Sequence, residues 1–333
     1  MKNFKGPFLI DTSEKEPVYI LIGKNRRIIR LSQASYLLLH GLDSGLSFDE
    51  LAVMISQKTG MQYSPDIIRS AYQQIVSEVN DIEISKKRML SKYLFRAPVF
   101  SQEFVSKTAS CFSTAFHLPV ALGLFLFIIS VAGYSFIYNL IGNITVSSIT
   151  AGFWWGYLLF IISAFFHELG HASACAFFRA RPGEIGYTIY LFIPYFYSDV
   201  SSSWELRRVQ RVIVDAGGIF FQAVVACFYI ILFSLTDWPP FKSAIVMIGI
   251  SSLYSIIPVF KADGYWMIAD ALGVVNLGQQ RLKIFRHFCN RIRGRPAGDL
   301  PWPRLITCSI IFYTFISFGI TGYIVWVLAS RCL

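Results

Sequence analysis

The sequence predicts a polytopic α-helical membrane protein with about five transmembrane helices and a re-entrant hairpin, preceded by a small α+β, winged-helix-like soluble domain. Three observations carry this. The 333 residues are 54% hydrophobic and 16% aromatic, too apolar for a water-soluble chain of this size. The apolar residues are segregated: residues 1–110 read as ordinary globular sequence, and most of the remainder is long apolar runs. The net charge of +10 is gathered in loops that fall on one side of those runs.

In chain order, MKNFKGPFLIDTSEKEP has no apolar core, so no cleavable signal peptide is expected. VYILI (18–22) and RIIRL (27–31) read as two strands joined by a turn at Gly23–Asn25. Ser32 precedes the helix QASYLLLHGLD, in which His40 is read as a packing residue. Ser47 and Glu50 have the spacing of a capping box for a second helix. A third follows Ser64, with Pro65 at its first position and Ile68, Ala71, Tyr72, Ile75 and Val79 at helical spacing. Residues 82–84 read as a returning strand. A winged helix often binds DNA, but the third helix sets Asp66 and Glu78 against Arg69 and offers no basic face, so no nucleic-acid partner is expected.

Lys86, Lys87, Arg88, Lys92 and Arg96 form a basic juxtamembrane stretch. About 20 apolar residues cross a bilayer's hydrocarbon core. Spans are therefore expected at 118–141, 149–178, 212–235, 241–260 and 305–329. YTIYLFIPYFY, between 183 and 200, is too short and too β-prone for a span and reads as a hairpin or re-entrant segment. These elements set boundaries at 1–90 for the soluble domain, 91–116 for the linker and 117–333 for the membrane domain. The loops at 142–148 and 236–240 lack Lys and Arg, which predicts a multi-pass protein of the inner (cytoplasmic) membrane with a cytoplasmic N-terminal domain. The six cysteines show no paired spacing and are expected as free thiols.

The chemistry concentrates in FFHELGHASACAFF (165–178). In a helix, His167 and His171 lie on one face and can bind one metal, with Glu168 beside them to take a proton from water. H-E-x-x-H also arises by chance, but ionisable groups inside an apolar run are costly and usually functional. Two histidines leave a catalytic site one protein ligand short. From the outer ends of their spans, His167 lies about 28 Å down and Asp263 about 33 Å down at 1.5 Å per residue. That makes Asp263 of FKADGYWMIAD the candidate third ligand, although alone it would read as an interfacial partner of Lys261.

HELGH in one span with DG at the end of a later one resembles the site-2 protease family of intramembrane zinc metalloproteases. IPVFKADGYWMIADALGVVNL and DVSSSWELRRVQRVIVDAGG are similar to its peptide-maturation branch, the peptide zinc metalloproteases. RIIRLSQASYLLLHGLDSGLSFDELA resembles the PqqD-like peptide-recognition domain that this branch commonly carries, over residues 15–85. The resemblance implies that Zn2+ is the cofactor, with His167, His171 and Asp263 as ligands and Glu168 as catalytic base. It also implies a membrane-associated or ribosomally made precursor peptide as substrate, with peptide-export or maturation proteins as partners alongside the bilayer.

Two departures stand out. Ile257 precedes Pro258 where the family usually has Asn, and Gly217–Gly218 stands where Gly-Pro is common; neither is a metal ligand. Asp215 could support a ligand histidine or pair with Arg211, and Asp199 could cap the hairpin or face the cavity. The alternative is a non-catalytic membrane receptor, immunity or export component that keeps a structural metal site.

Overall fold

The computed structural model describes residues 8–11, 18–22, 28–76, 93–138, 150, 152–190, 193–259, 261–274, 277–295, 300 and 302–332. The chain divides into two compact units, residues 1–94 with 272–313 and residues 95–271 with 314–333.

In the first unit, β1 (Phe8–Asp11), β2 (Val18–Ile22) and β3 (Ile28–Leu31) form an antiparallel sheet in the order β1-β2-β3, with Leu9 opposite Ile20 and Ile20 opposite Arg30. Strand β1 was not expected from the sequence, because FLID is a short apolar run with charged neighbours. The turn expected at 23–25 and the strand expected at 82–84 lie outside the described residues. Helix α1 (Gln33–Asp43) starts where Ser32 Oγ accepts the Ser35 N–H at 3.1 Å. Helix α2 (Phe48–Thr59) has the full capping box: Glu50 N–H donates to Ser47 Oγ, and Ser47 N–H donates to Glu50 Oε2 at 2.8 Å. It ends at Gly60 with φ +70°, a left-handed conformation that glycine adopts without a Cβ penalty. Helix α3 (residues 65–76) supplies Ile68 to a core with Leu38, Leu51, Ala52 and Ile55. A Cβ at Gly41 would collide with Leu51, so this glycine sets how closely α1 and α2 pack. Helix α10 (Leu277–Ile292) and the start of α11 (Arg304–Cys332) also belong to this unit.

The second unit opens with β4 (Tyr93–Phe100), α4 (Gln102–Phe112) and a 3-10 turn (Ser113–Phe116), all within the stretch expected to be a linker. The strand carries Pro98, which cannot donate to a strand ladder. Its place at one edge of the sheet β4-β5-β6 explains the tolerance, since an edge strand leaves some N–H positions unpaired. The expected hairpin is present: β5 (Ile185–Tyr190) pairs antiparallel with β6 (Ile193–Ser198), Tyr187 opposite Phe196.

Among the described residues, four helices are long and apolar enough to cross a membrane: α5 (Leu118–Ile137), α6 (Phe153–Phe177), α7 (Arg208–Thr236) and the 304–323 part of α11. This is the pattern of a membrane protein, for which the sequence predicts about five spans. The stretch expected as a span at 241–260 forms α8 (Pro239–Ile256), a helix less apolar than those four. Its 18 residues include Lys242 and four serines, Ser243, Ser251, Ser252 and Ser255, which lower its hydropathy. The chain leaves the helix at Ile257 and resumes in α9 (Asp263–Leu272).

Helix α6 is the centre of the second unit. Leu169, Ala172 and Ile185 pack with Val105 and Ala109 of α4 on one side, and Phe196 of β6 joins that cluster. On the other side α6 crosses α7 at Gly170 and Gly217, where an added Cβ on Gly170 would strike the Gly217 carbonyl. Small residues at a crossing let two backbones approach closely, a common device in membrane bundles. Further along, Val131, Cys227, Tyr229, Ile230, Ala244, Ile245 and Ile248 join α5, α7 and α8. Among the described residues, Cys111, Cys227, Cys289 and Cys308 are free thiols.

A candidate metal centre on helix α6

His167 and His171 stand one turn apart on α6, both buried, with ring centroids 4.9 Å apart and Nε2 atoms 3.2 Å apart. Each ring is held through its other nitrogen. His171 Nδ1 lies 2.7 Å from the Val214 carbonyl oxygen, which can only accept, so Nδ1 carries the proton and Nε2 presents a lone pair. His167 Nδ1 lies 3.2 Å from Gln222 Oε1. The amide is oriented by its own contacts: Ser163 Oγ donates to the Phe160 carbonyl at 2.7 Å and so accepts from Gln222 Nε2 at 3.4 Å. Oε1 therefore faces the ring, Nδ1 donates, and the second Nε2 is also a lone pair.

Asp263 completes the cluster from the first position of α9. Its Oδ2 lies 3.0 Å from His167 Nε2 and its Oδ1 lies 3.5 Å from His171 Nε2. Gly264 allows this placement, because a Cβ there would run into the Ile256 carbonyl at the end of α8. Ligand atoms of the three residues all lie within 4.8 Å of one another. Two imidazole lone pairs and a carboxylate therefore converge with no proton donor among them. Asp263 Oδ2 is buried without a hydrogen-bond partner, a costly state unless a cation supplies the missing positive charge.

Space for the cation is built in as well. A Cβ on Gly218 would fall 2.7 Å from His167 Nε2 and closer still to His171 Nε2. The glycine thus keeps open the volume beside both lone pairs. Two neutral imidazoles with one carboxylate, and no cysteine, suit a divalent ion such as zinc with a coordination position left open. Among the described residues no fourth His, Cys, Asp or Glu joins the group.

Glu168 is half-buried and follows His167 directly on α6. The structure thus brings together all three predicted ligand residues, with the predicted base beside them. The roles considered for Asp215 are not observed. The His171 ring is held by the Val214 carbonyl, and Arg211 pairs with Asp270 at 2.8 Å. Asp199 serves the chain locally: its Oδ1 accepts from Ser201 N at 3.1 Å and Ser201 Oγ at 2.7 Å, and its backbone closes the foot of the hairpin against Gly183 and Glu184. Ile257 caps α8, its N–H donating to the Leu253 carbonyl.

Sequence reasoning missed α7 as the opposite wall of the site. Arg211, Val214, Gly218 and Gln222, spaced three and four apart and all buried, form a single stripe along it. Gln222 had a usable signal, a lone amide within the apolar run IFFQAVVACF. Val214 had none, because it acts through its backbone. Gly218 had none either, because it acts through the space it leaves beside both ligand histidines.

Fold and site together describe a membrane protein whose second unit holds a His–His–Asp cluster of the kind that binds a divalent metal. No protein-family model and no solved structure matches the chain. It is similar to the protein named "Putative peptide zinc metalloprotease protein YydH" of Bacillus subtilis (strain 168), with 25% identity over 123 residues. That region is 35% of this chain and 47% of the relative, so the match spans about half the relative's length.

Proposed function

We propose that this protein is an intramembrane zinc metalloprotease of the site-2 type that cleaves a peptide bond in a membrane-associated or ribosomally made precursor peptide, near the cytoplasmic face of the inner membrane. The observation that carries this reading is the convergence of His167 Nε2, His171 Nε2 and the orphaned Asp263 Oδ2, with Glu168 next to the first ligand in sequence. The name of the Bacillus subtilis relative points the same way.

A bound zinc ion would act as a Lewis acid, acidifying a water molecule and polarising the scissile carbonyl. The chain's own residues do the rest. Gln222 and the Val214 carbonyl hold the two rings so that Nε2 faces inward. Glu168 takes a proton at its carboxylate and returns it to the leaving amine. A peptide bond must be extended to be attacked, and β6 lies at an edge of its sheet. An extended substrate would add to that edge as a further strand. The N-terminal domain, read as PqqD-like, would hold the precursor's leader from the cytoplasm.

A non-catalytic receptor, immunity or export component would use its metal as a clasp, and such sites are usually closed by four protein ligands. The cluster supplies three. The test is Glu168→Gln in the full chain: metal stoichiometry should stay at the wild-type value while cleavage of a co-expressed precursor peptide stops. Undiminished cleavage by this variant would remove Glu168 from the mechanism.

A further inference from the structure

We infer that the buried Arg211–Asp270 ion pair is the latch that sets the position of Asp263 against the two histidines, making Arg211 and Asp270 positioning residues of the metal centre. The inference rests on the proposed metal site.

Asp263 and Asp270 belong to the same short helix, α9, seven residues apart. Seven residues are close to two turns, so both carboxylates leave the same face, about 10 Å apart along the axis. One meets the histidines of α6 and the other meets Arg211 of α7. Arg211 Nε donates to Asp270 Oδ1 at 2.8 Å, and both side chains are only 10% exposed. The guanidinium is fixed on two further sides. Its Nη1 donates to the Leu206 carbonyl at 3.2 Å, and its carbon lies 4.8 Å from the Trp204 ring centroid. A planar group held three ways has little freedom, so Asp270 docks in one place.

The same stripe of α7 that carries Arg211 carries Val214, whose carbonyl orients His171 one turn away. A single ion pair therefore registers the helix that delivers the third ligand to the helix that aims the second. Register matters here because α9 is short and is a separate helix from α8, which ends at Ile256. A buried ion pair is a poor source of net stability, since desolvation offsets most of its attraction. Its best-attested use is to select one arrangement among several, which is the role assigned here.

The test uses the full chain in detergent or nanodiscs, loaded with Co2+ as a spectroscopic stand-in. Removing one partner leaves an uncompensated buried charge and risks misfolding, so the informative variant is the double Arg211→Met/Asp270→Leu, which leaves neither charge. It should keep the wild-type helical content and elution profile. Its cobalt affinity should fall about tenfold or more and its visible d–d bands should shift, as for loss of an outer partner of a ligand. A folded double variant with wild-type cobalt affinity and spectrum would overturn the latch alone. A wild-type chain that binds no cobalt would overturn the metal site and the latch with it.

Discussion

At the scale of single residues, the site is set as much by what Gly218 lacks as by what the histidines offer. Any side chain at 218 would enter the space beside both Nε2 atoms. A Gly218→Val variant is therefore expected to fold, since α6 and α7 still cross at Gly170 and Gly217, but to lose its metal to a chelator that the wild type withstands. Wild-type retention would show that the cation sits elsewhere. Gln222 acts by the opposite means, filling a buried polar position between His167, Ser163 and Ser252. Gln222→Ala frees the His167 ring to turn and should weaken metal binding by about 10–100-fold, read by competition titration. His167, Glu168 and His171 were legible in the sequence because their spacing is local, and Asp263 because it falls at a matching depth on a later apolar run. Gly218, Val214 and Gln222 were not, because their role depends on which residues of α7 face α6, and that is decided by the crossing.

At the scale of elements, caps and hairpins were readable because each is written in a few adjacent residues. The capping box of α2 is an example with a testable pH signature. Backbone and side-chain bonds from Ser47 hold the Glu50 carboxyl below the usual glutamate range. A folded-state value lower than the unfolded one gives stabilisation that is present above the unfolded pKa and lost as pH falls through the folded one. Glu50→Gln should therefore speed amide exchange in the first turn of α2 at neutral pH, and the difference from wild type should vanish in acid. A difference that persists unchanged at low pH would contradict the ionic origin of the cap. Strand β4 escaped detection because Pro98 and a basic neighbourhood disguise it, and only its pairing with β5 makes it a strand. The stretch 241–260 forms α8, where Lys242 and four serines lower the apolar content of a helix 18 residues long.

At the scale of the whole molecule, the segregation of apolar sequence foretold a membrane protein, and among the described residues four helices are long and apolar enough to cross a bilayer. The basic loops predict that a label at the N-terminus is accessible only from the cytoplasmic side of intact cells; labelling from outside would reverse the proposed orientation. The account's central claim is that helices from different parts of the chain meet on one divalent ion. X-ray absorption at the zinc edge of the purified full chain tests it most directly. The account predicts one tightly bound zinc per chain, with two imidazole nitrogens and carboxylate or water oxygens at about 2.0–2.2 Å and no sulfur. A first shell containing sulfur, or one that keeps both imidazoles and its full occupancy in Asp263→Ala, would contradict it.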